Sequence, residues 1–450
     1  MKRKIYSELL KWKQTWQGKT ALMIDGARRI GKSWIAREFA INEYKSHIII
    51  DFNNVRPEIL ELFEHYLTDL DTFFNRLSLY TGTKLYKRNS LIIFDEVQLY
   101  PRARAAIKYF VEDGRYDFIE TGSLVSINHN VKDIVIPSEE ERIEMFPMDL
   151  EEFTWAIESK DLFNYAKECY RDLKPLSQGL HRQMMEILRS YMIVGGMPQS
   201  VLAYKEKKDF RESDRQKRII LSLYRNDISK YAGRQAPMVT RIFDSISGNL
   251  QLHEKKFRPS LIKSGSKMRE YDEALFWLDE SRVANFCYGV SEPSVSLGLN
   301  RIDNKVKLYM ADTGLLLSMA FGVKQMEAEG IYEKLLRGKL EFNKGMLTEN
   351  LVSQLLRSNG HPLYFFSQYS NTDAADRMEI DFLISKPSIT SRHNISLIEV
   401  KSSSRYALSS LEKCRKKFKS YIDKSFVFHS SDLKIDNGII YLPLYMAGLV

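Results

Sequence analysis

One octapeptide constrains the fold of this chain more than any other feature. Gly26-Ala27-Arg28-Arg29-Ile30-Gly31-Lys32-Ser33 fits G-x-x-x-x-G-K-[ST] in full. The spacing has a physical reason. The glycines let the backbone curl until successive N–H groups point inward, which makes a cradle for phosphate oxygens. In such a cradle Lys32 reaches the β and γ phosphates of ATP, and the Ser33 hydroxyl is a ligand for Mg²⁺. The helix that opens there turns its positive end toward the anion. The flanks agree with this reading: an apolar strand over Thr20–Ile24 precedes the loop, and a helix over Lys32–Ala40 follows it, with Trp34 in its first turn. Gly26 to Trp34 are therefore the expected nucleotide contacts.

Two downstream segments extend the pattern. Leu91-Ile92-Ile93-Phe94-Asp95-Glu96 is an apolar strand ending in two carboxylates. Asp95 at the strand end can hold Mg²⁺ from the far side, and Glu96 can polarise the attacking water, which would separate an ATP hydrolase from an ATP binder. The other reading of Glu96 is a helix cap ahead of Val97. Thr121-Gly122-Ser123 follows a strand read over Phe118–Thr121. Thr121 is expected beside the γ-phosphate if its strand lies next to that of Asp95; a plain strand-to-loop turn is the alternative. Arg142 is a weaker candidate for a nucleotide or interface arginine.

These strands, with a further one at His47–Phe52, lack polar alternation and are separated by helical stretches such as Arg102–Glu112. That is the mark of a parallel sheet covered on both faces, so residues 1–153 are expected to form an α/β domain. Residues 154–335 change character. Helical periodicity runs over His181–Met192, Ser213–Tyr231 and Arg241–Leu252. A turn at Ser264-Gly265-Ser266, a helix over Met268–Asp279 and a strand over Val283–Tyr288 follow in the order of a winged-helix unit. If that unit binds DNA, Arg258, Lys263, Lys267 and Arg269 would touch phosphate; as a solvated basic face they need no ligand. Residues 336–450 return to α/β, with a helix over Lys344–Ser358, strands over Pro362–Phe366, Glu379–Ile384, Ile395–Val400 and Lys424–His429, and a basic helix over Ser409–Tyr421.

The last region carries a second set of chemistry-bearing residues. Residues two apart in a strand share a face, so Glu379 pairs with Asp381, and Glu399 with Lys401. If the two strands form a hairpin, Asp381, Glu399 and Lys401 converge, and Glu349 on the preceding helix adds a carboxylate. Carboxylates that hold Mg²⁺ and a lysine that stabilises phosphate charge are what phosphodiester hydrolysis needs. The arrangement resembles the restriction-endonuclease-like fold with its Asp…Glu-x-Lys signature. Glu349, Asp381 and Glu399 would be the metal ligands, and Glu399 and Lys401 the catalytic pair. An inactive domain that keeps the carboxylates as salt bridges to Lys401 is the competing reading. Lys413, Arg415, Lys416, Lys417 and Lys419 could clasp DNA beside such a site or simply face water.

Taken in order, GARRIGKS, LIIFDEVQ, FIETGS and the run Pro147–Phe153 resemble the prokaryotic AAA-type ATPases related to the archaeal ATPase group. Gly195-Gly196-Met197-Pro198, Arg225-Asn226-Asp227-Ile228 and the run Lys307–Leu315 are similar to that family's middle region. The resemblance implies a P-loop ATPase domain, a winged-helix-like middle and a nuclease-like C-terminal domain. Composition sets outer limits. Lys plus Arg is 67 against 58 Asp plus Glu, a formal charge of +9, which suits an anionic partner such as DNA without requiring one. Three scattered cysteines exclude a disulfide framework and point to the cytoplasm. The basic N-terminus reaches no apolar core of a signal peptide, and no stretch is apolar enough to span a membrane. The expected function is an ATPase that couples nucleotide state to DNA handling. The alternative is a nucleotide-dependent switch that binds DNA, a protein partner or another copy of itself, with an inactive nuclease-like domain.

Overall fold

The computed structural model describes the whole chain apart from residues 123–137, 253–254, 295, 324–325, 327–329, 340–343, 370–375, 387–392 and 404. Ser123 of the Thr121 segment lies outside the described residues. The chain divides into two compact units, Met1–Phe146 and Pro147–Val450. Among the described residues no helix is long and apolar enough to cross a membrane.

The first unit runs α1 (Ile5–Trp16), β1 (Ala21–Asp25), α2 (Lys32–Glu43), β2 (Ser46–Asp51), α3 (Pro57–His65), α4 (Leu70–Thr81), β3 (Ser90–Asp95), α5 (Pro101–Asp113), β4 (Asp117–Thr121) and β5 (Glu140–Glu144). The strands form a parallel sheet in the order β2-β3-β4-β1-β5. Strands β1 and β4 are buried along their whole length, as their unbroken apolar reading requires. Phe63, Phe73, Phe94, Phe110 and Phe118 join α3, α4 and α5 to the sheet in one aromatic core. Helix α2 packs on β2, β3 and β4, with α1 against α2. This order puts β4 between the phosphate-loop strand β1 and the Asp95 strand β3, so all three strand ends open on one edge.

The second unit runs α6 (Leu150–Ala156), α7 (Lys160–Asp172), α8 (Gln178–Val194), α9 (Pro198–Lys207), α10 (Phe210–Tyr231), α11 (Ala236–Gln251), α12 (Asp272–Glu280), β6 (Ala284–Val290), β7 (Arg301–Met310), α13 (Thr313–Ala320), α14 (Ile331–Leu336), α15 (Lys344–Ser358), β8 (Leu363–Gln368), β9 (Met378–Ser385), β10 (Ile395–Val400), α16 (Ser409–Lys417), β11 (Ile422–His429), β12 (Lys434–Asp436) and β13 (Ile439–Pro443). Its strands form one mixed sheet in the order β12-β13-β11-β10-β9-β8-β6-β7. The divide expected near residue 335 therefore falls inside a single compact unit: hairpin β6–β7 from the middle region pairs with β8 through Cys287–Leu363 and its neighbours. A hairpin with a free edge finds a partner strand when one is near. The helix expected over Met268–Asp279 is a 3-10 turn, Met268–Glu270, followed by α12. The basic helix expected to reach Tyr421 ends at Lys417.

Helix α15 is the axis of this unit, with every residue from Met346 to Leu356 buried. Its buried polar residues explain the motifs of the middle region. Asn350 accepts from Met310 N at 2.7 Å and donates to Met310 O at 3.1 Å, and Gln354 accepts from Thr313 N at 2.8 Å. Asp312 caps α13 by accepting from Leu315 N at 2.8 Å and accepts from Gly196 N at 2.5 Å. Gly195 sits at φ +77°, and a Cβ there would come within 2.2 Å of Asp312 Oδ1. A Cβ on Gly314 would come within 2.6 Å of Gly195 N. The Gly195-Gly196 and Asp312-Thr313-Gly314 segments are thus one packing knot. Arg225 pairs at the surface with Asp244 at 2.8 Å.

Candidate functional site

The loop after β1 takes the shape its glycines allow. Gly26 lies at φ +141° and Gly31 at φ +97°, and Arg29 joins them at φ +71°. Gly26 also has no room for a side chain: a Cβ would stand 2.2 Å from Met145 O at the end of β5. Lys32 is buried, and its Nζ donates to Gly26 O at 2.8 Å and Ala27 O at 2.9 Å, so the ammonium bridges the mouth of the loop. Burial pulls its pKa down, while Glu96, Asp25 and Asp95 push it up. Asp25 Oδ1 in turn accepts from Gly26 N at 2.7 Å. Ala27 and Ile30 are buried in the loop, whereas Arg28, Arg29 and Trp34 are exposed.

The order of strands in the sheet brings the downstream residues to this loop. Ser33 Oγ donates to Asp95 Oδ1 at 2.7 Å, and Thr121 Oγ1 donates to the same oxygen. Three residues from three segments thus meet on one carboxylate, and Thr121 stands beside Asp95 rather than in a free turn. Glu96 follows at φ +55°, in the N-cap position of a 3-10 turn, yet its side chain makes no cap hydrogen bond; Gln98 Nε2 donates to Glu96 Oε2 instead. Arg142 is turned to Glu140, 2.7 Å away. Sequence reasoning missed Arg3. Its guanidinium is buried and donates to Ile30 O at 2.8 Å and Phe146 O at 2.6 Å, tying the N-terminal segment to the phosphate loop. The only signal was its place in a basic run read for targeting alone.

In the second unit the hairpin of β9 and β10 is antiparallel, with Ile398 opposite Phe382. Asp381 then reaches the adjacent strand: its Oδ2 accepts from Val400 N at 2.8 Å. Lys401 Nζ donates to Glu399 Oε2 at 2.5 Å. Burial, and after it the charge of Asp381, pushes the Glu399 carboxyl up to about 7, against the pull of Lys401. Asp381, Glu399 and Lys401 are thus brought together. Glu349 is buried and is taken by other partners: Lys255 and the Tyr309 hydroxyl donate to it, and Lys307 Nζ lies 3.8 Å away. Lys307 also holds Glu379 at 2.9 Å. Among the described residues no group of three or more His, Cys, Asp or Glu side chains is gathered closely enough to hold a metal ion. Sequence reasoning missed Lys255 and Lys307, which come from the region before the nuclease-like segment.

The basic residues proposed for DNA divide by partner. Arg415 donates to Asn437 O at 3.2 Å and Lys417 pairs with Asp376 at 2.8 Å, so both serve their own unit. Lys416, Lys419, Lys263, Lys267 and Arg269 are exposed, as is Arg258, and Lys413 is half-buried.

Three segments of the chain match known families. Residues 18–154 match an AAA domain, residues 185–327 a domain of unknown function (DUF8612), and residues 344–446 another (DUF4143). The first unit is an AAA-type P-loop domain. No curated protein matches the chain. Among solved structures, the Walker-type ATPase of Pyrococcus abyssi is similar at 17% identity, covering 71% of this chain and 96% of that one with a TM-score of 0.42. DnaA of Aquifex aeolicus bound to AMPPCP is similar at 11% identity, covering 63% and 88% with a TM-score of 0.29. Similarities this distant leave the function to be read from the site itself.

Proposed function

We propose that the chain is a Mg²⁺-dependent ATP hydrolase that couples its nucleotide state to DNA binding or processing. The observation that carries the first part is the meeting of Ser33, Asp95 and Thr121 on one carboxylate oxygen, beside the Lys32 ammonium and one residue before Glu96. Hydroxyl and carboxylate oxygens suit a hard divalent cation, and Ser33 and Asp95 are the residues that would hold it. Bound there, Mg²⁺ would neutralise phosphate charge. Around Lys32 the carboxylates of Glu96, Asp25 and Asp95 gather beside the loop, a setting in which a cation is favoured. The turned-in N–H groups of the loop and the N-terminus of α2 bind the phosphates. Lys32 exchanges the carbonyl oxygens of Gly26 and Ala27 for phosphate oxygens. Glu96, held by Gln98, accepts the proton of the attacking water.

Glu96→Gln keeps the shape and removes the base. Its ATP affinity is expected to stay within about threefold of the parent while turnover falls about a hundredfold, the range set by loss of a general base. Turnover at the parental rate, measured as phosphate release, would give Glu96 another job.

For the second unit, the proposal takes Asp381, Glu399 and Lys401 as a nuclease-like site, with the winged-helix-like segment and its exposed Arg258, Lys263, Lys267 and Arg269 as the DNA contact. The convergence of Asp381 on Val400 beside the Glu399–Lys401 pair supports it. A second reading, a nucleotide-dependent switch with an inactive nuclease-like domain, is favoured by one observation: lysines and a tyrosine already occupy Glu349, the third expected ligand. Incubation with linear and single-stranded DNA in Mn²⁺, with and without ATP, separates the two. Cleavage lost in Asp381→Ala supports the enzyme, and no cleavage in any condition supports the switch.

A further inference from the structure

The phosphate loop is held from outside by a side chain 27 residues before it in the chain. Arg3 is 6% exposed, and its guanidinium donates to Ile30 O at 2.8 Å and to Phe146 O at 2.6 Å. Ile30 O belongs to the peptide that joins Ile30 to Gly31, and that peptide is trans. In a trans peptide the carbonyl and the N–H point in opposite directions. A guanidinium that fixes the Ile30 carbonyl on one side of the loop therefore fixes the Gly31 N–H on the other. Among the described residues that N–H donates to no backbone carbonyl. Gly31 is the N-cap residue of α2, so its N–H lies at the positive end of the helix. The first peptides of the loop are turned the other way, with Gly26 O and Ala27 O pointing at Lys32 Nζ.

Arg3 can hold the loop because it is itself held. It stands just before α1, whose Ile5, Leu9 and Trp12 are buried. The Tyr6 hydroxyl donates to Glu43 Oε1 at 2.7 Å, and Lys13 Nζ donates to Glu43 O. Trp12 Nε1 donates to Thr20 Oγ1 at 3.1 Å. Helix α1 is thus pinned to the last residue of α2 and to the residue before β1, the two elements that flank the loop. The second acceptor of Arg3 is fixed as well. Met145 N donates to Asp25 O at 2.8 Å, and Gly26 packs directly on Met145 O. Gly26 and Ile30 are therefore both referred to the segment Met145–Phe146. A loop shaped before its ligand arrives loses less freedom on binding. A charged donor on the carbonyl side also polarises the peptide, which strengthens its N–H as a donor.

We propose that Arg3 is a positioning residue for nucleotide binding: by holding the Ile30 carbonyl it aims the Gly31 N–H at the phosphates of ATP. The proposal rests on the ATP-binding reading and adds to it a residue outside the loop. It is tested on the full chain by calorimetric titration with ATP and Mg²⁺, read beside thermal unfolding. Arg3→Met keeps most of the apolar stem and removes both hydrogen bonds. Its dissociation constant for ATP is expected to rise about tenfold. Arg3→Lys keeps the charge and a donor, and is expected to recover most of that loss. Arg3→Gln is the second variant should Arg3→Met not fold. It keeps an N–H donor without the charge, and a rise of about threefold is expected. An arginine that only supports the fold gives a different result: the unfolding midpoint falls, and the folded protein binds ATP with the parental dissociation constant. That result, or parental values of both, overturns the proposal and leaves ATP binding standing. No ATP binding by the parent chain overturns the nucleotide reading together with it.

Discussion

Lys32→Ala is expected to abolish measurable ATP binding while the first unit stays folded. The Lys32 Nζ makes two buried hydrogen bonds to loop carbonyls, Gly26 O and Ala27 O, and the variant gives up both. The bound state loses a charged donor to phosphate. A hydrogen bond to a charged group contributes about 1.5–3 kcal/mol, so losing one or two weakens ATP by roughly a hundredfold. The remaining side chains deepen the loss, because the charges of Glu96, Asp25 and Asp95 are then no longer met by the Lys32 ammonium. Calorimetry with ATP and Mg²⁺ reads the affinity, and circular dichroism reads the fold. Parental affinity in the variant would remove the phosphate loop from the argument.

The second large effect is expected at a residue that belongs to neither candidate site. Asp312→Ala should destabilise the second unit by about 3–5 kcal/mol, the usual loss when one partner of a buried charged network is removed. Asp312 is fully buried and accepts from Gly196 N, Leu315 N and Gln354 Nε2. Its carboxylate also counters Lys217, which is 0% exposed and donates to Ile193 O at 2.5 Å. Alanine leaves two backbone N–H groups unpaired and leaves Asp214, 3.8 Å away, as the remaining carboxylate beside the Lys217 ammonium. Urea unfolding of the full chain, followed by far-ultraviolet circular dichroism, checks it. An unchanged midpoint for the second unit would mean that the Gly195–Asp312 knot is not what holds these segments. The knot is also why residues that look like a functional signature in the sequence, Gly195-Gly196 and Asp312-Thr313-Gly314, need no ligand to explain them.

How much was legible depended on whether a residue's reason lies near it in the chain. The phosphate loop was readable because its requirements are local: a glycine where φ is positive, a lysine and a serine at the start of a helix, an apolar strand before them. The same holds for β3 and β4, whose buried, unalternating sequences announce a covered sheet. Strand β5 was invisible for the opposite reason. Its sequence, EERIE, looks solvated, yet Glu140 is buried because Arg104, itself 1% exposed, pairs with it from α5 at 3.0 Å. A charge can be buried only with a partner, and the partner lies 36 residues away in the chain.

The sequence by itself therefore determined four strands of the first unit, β1 to β4, and its phosphate-loop motif, since hydrophobic period and backbone conformation are properties of neighbouring residues. It also supplied Asp381, Glu399 and Lys401, which lie within a few residues of one hairpin. Tertiary structure alone decided which groups surround them. Whether Thr121 touches Asp95 depends on β4 lying between β1 and β3. Whether Glu349 is open to a metal depends on Lys255 and Lys307, which reach it only because hairpin β6–β7 joins the sheet beside β8 and turns the region before it toward α15. Pairing of strands and of buried charges is settled by distance in space, and a linear pattern does not carry that distance.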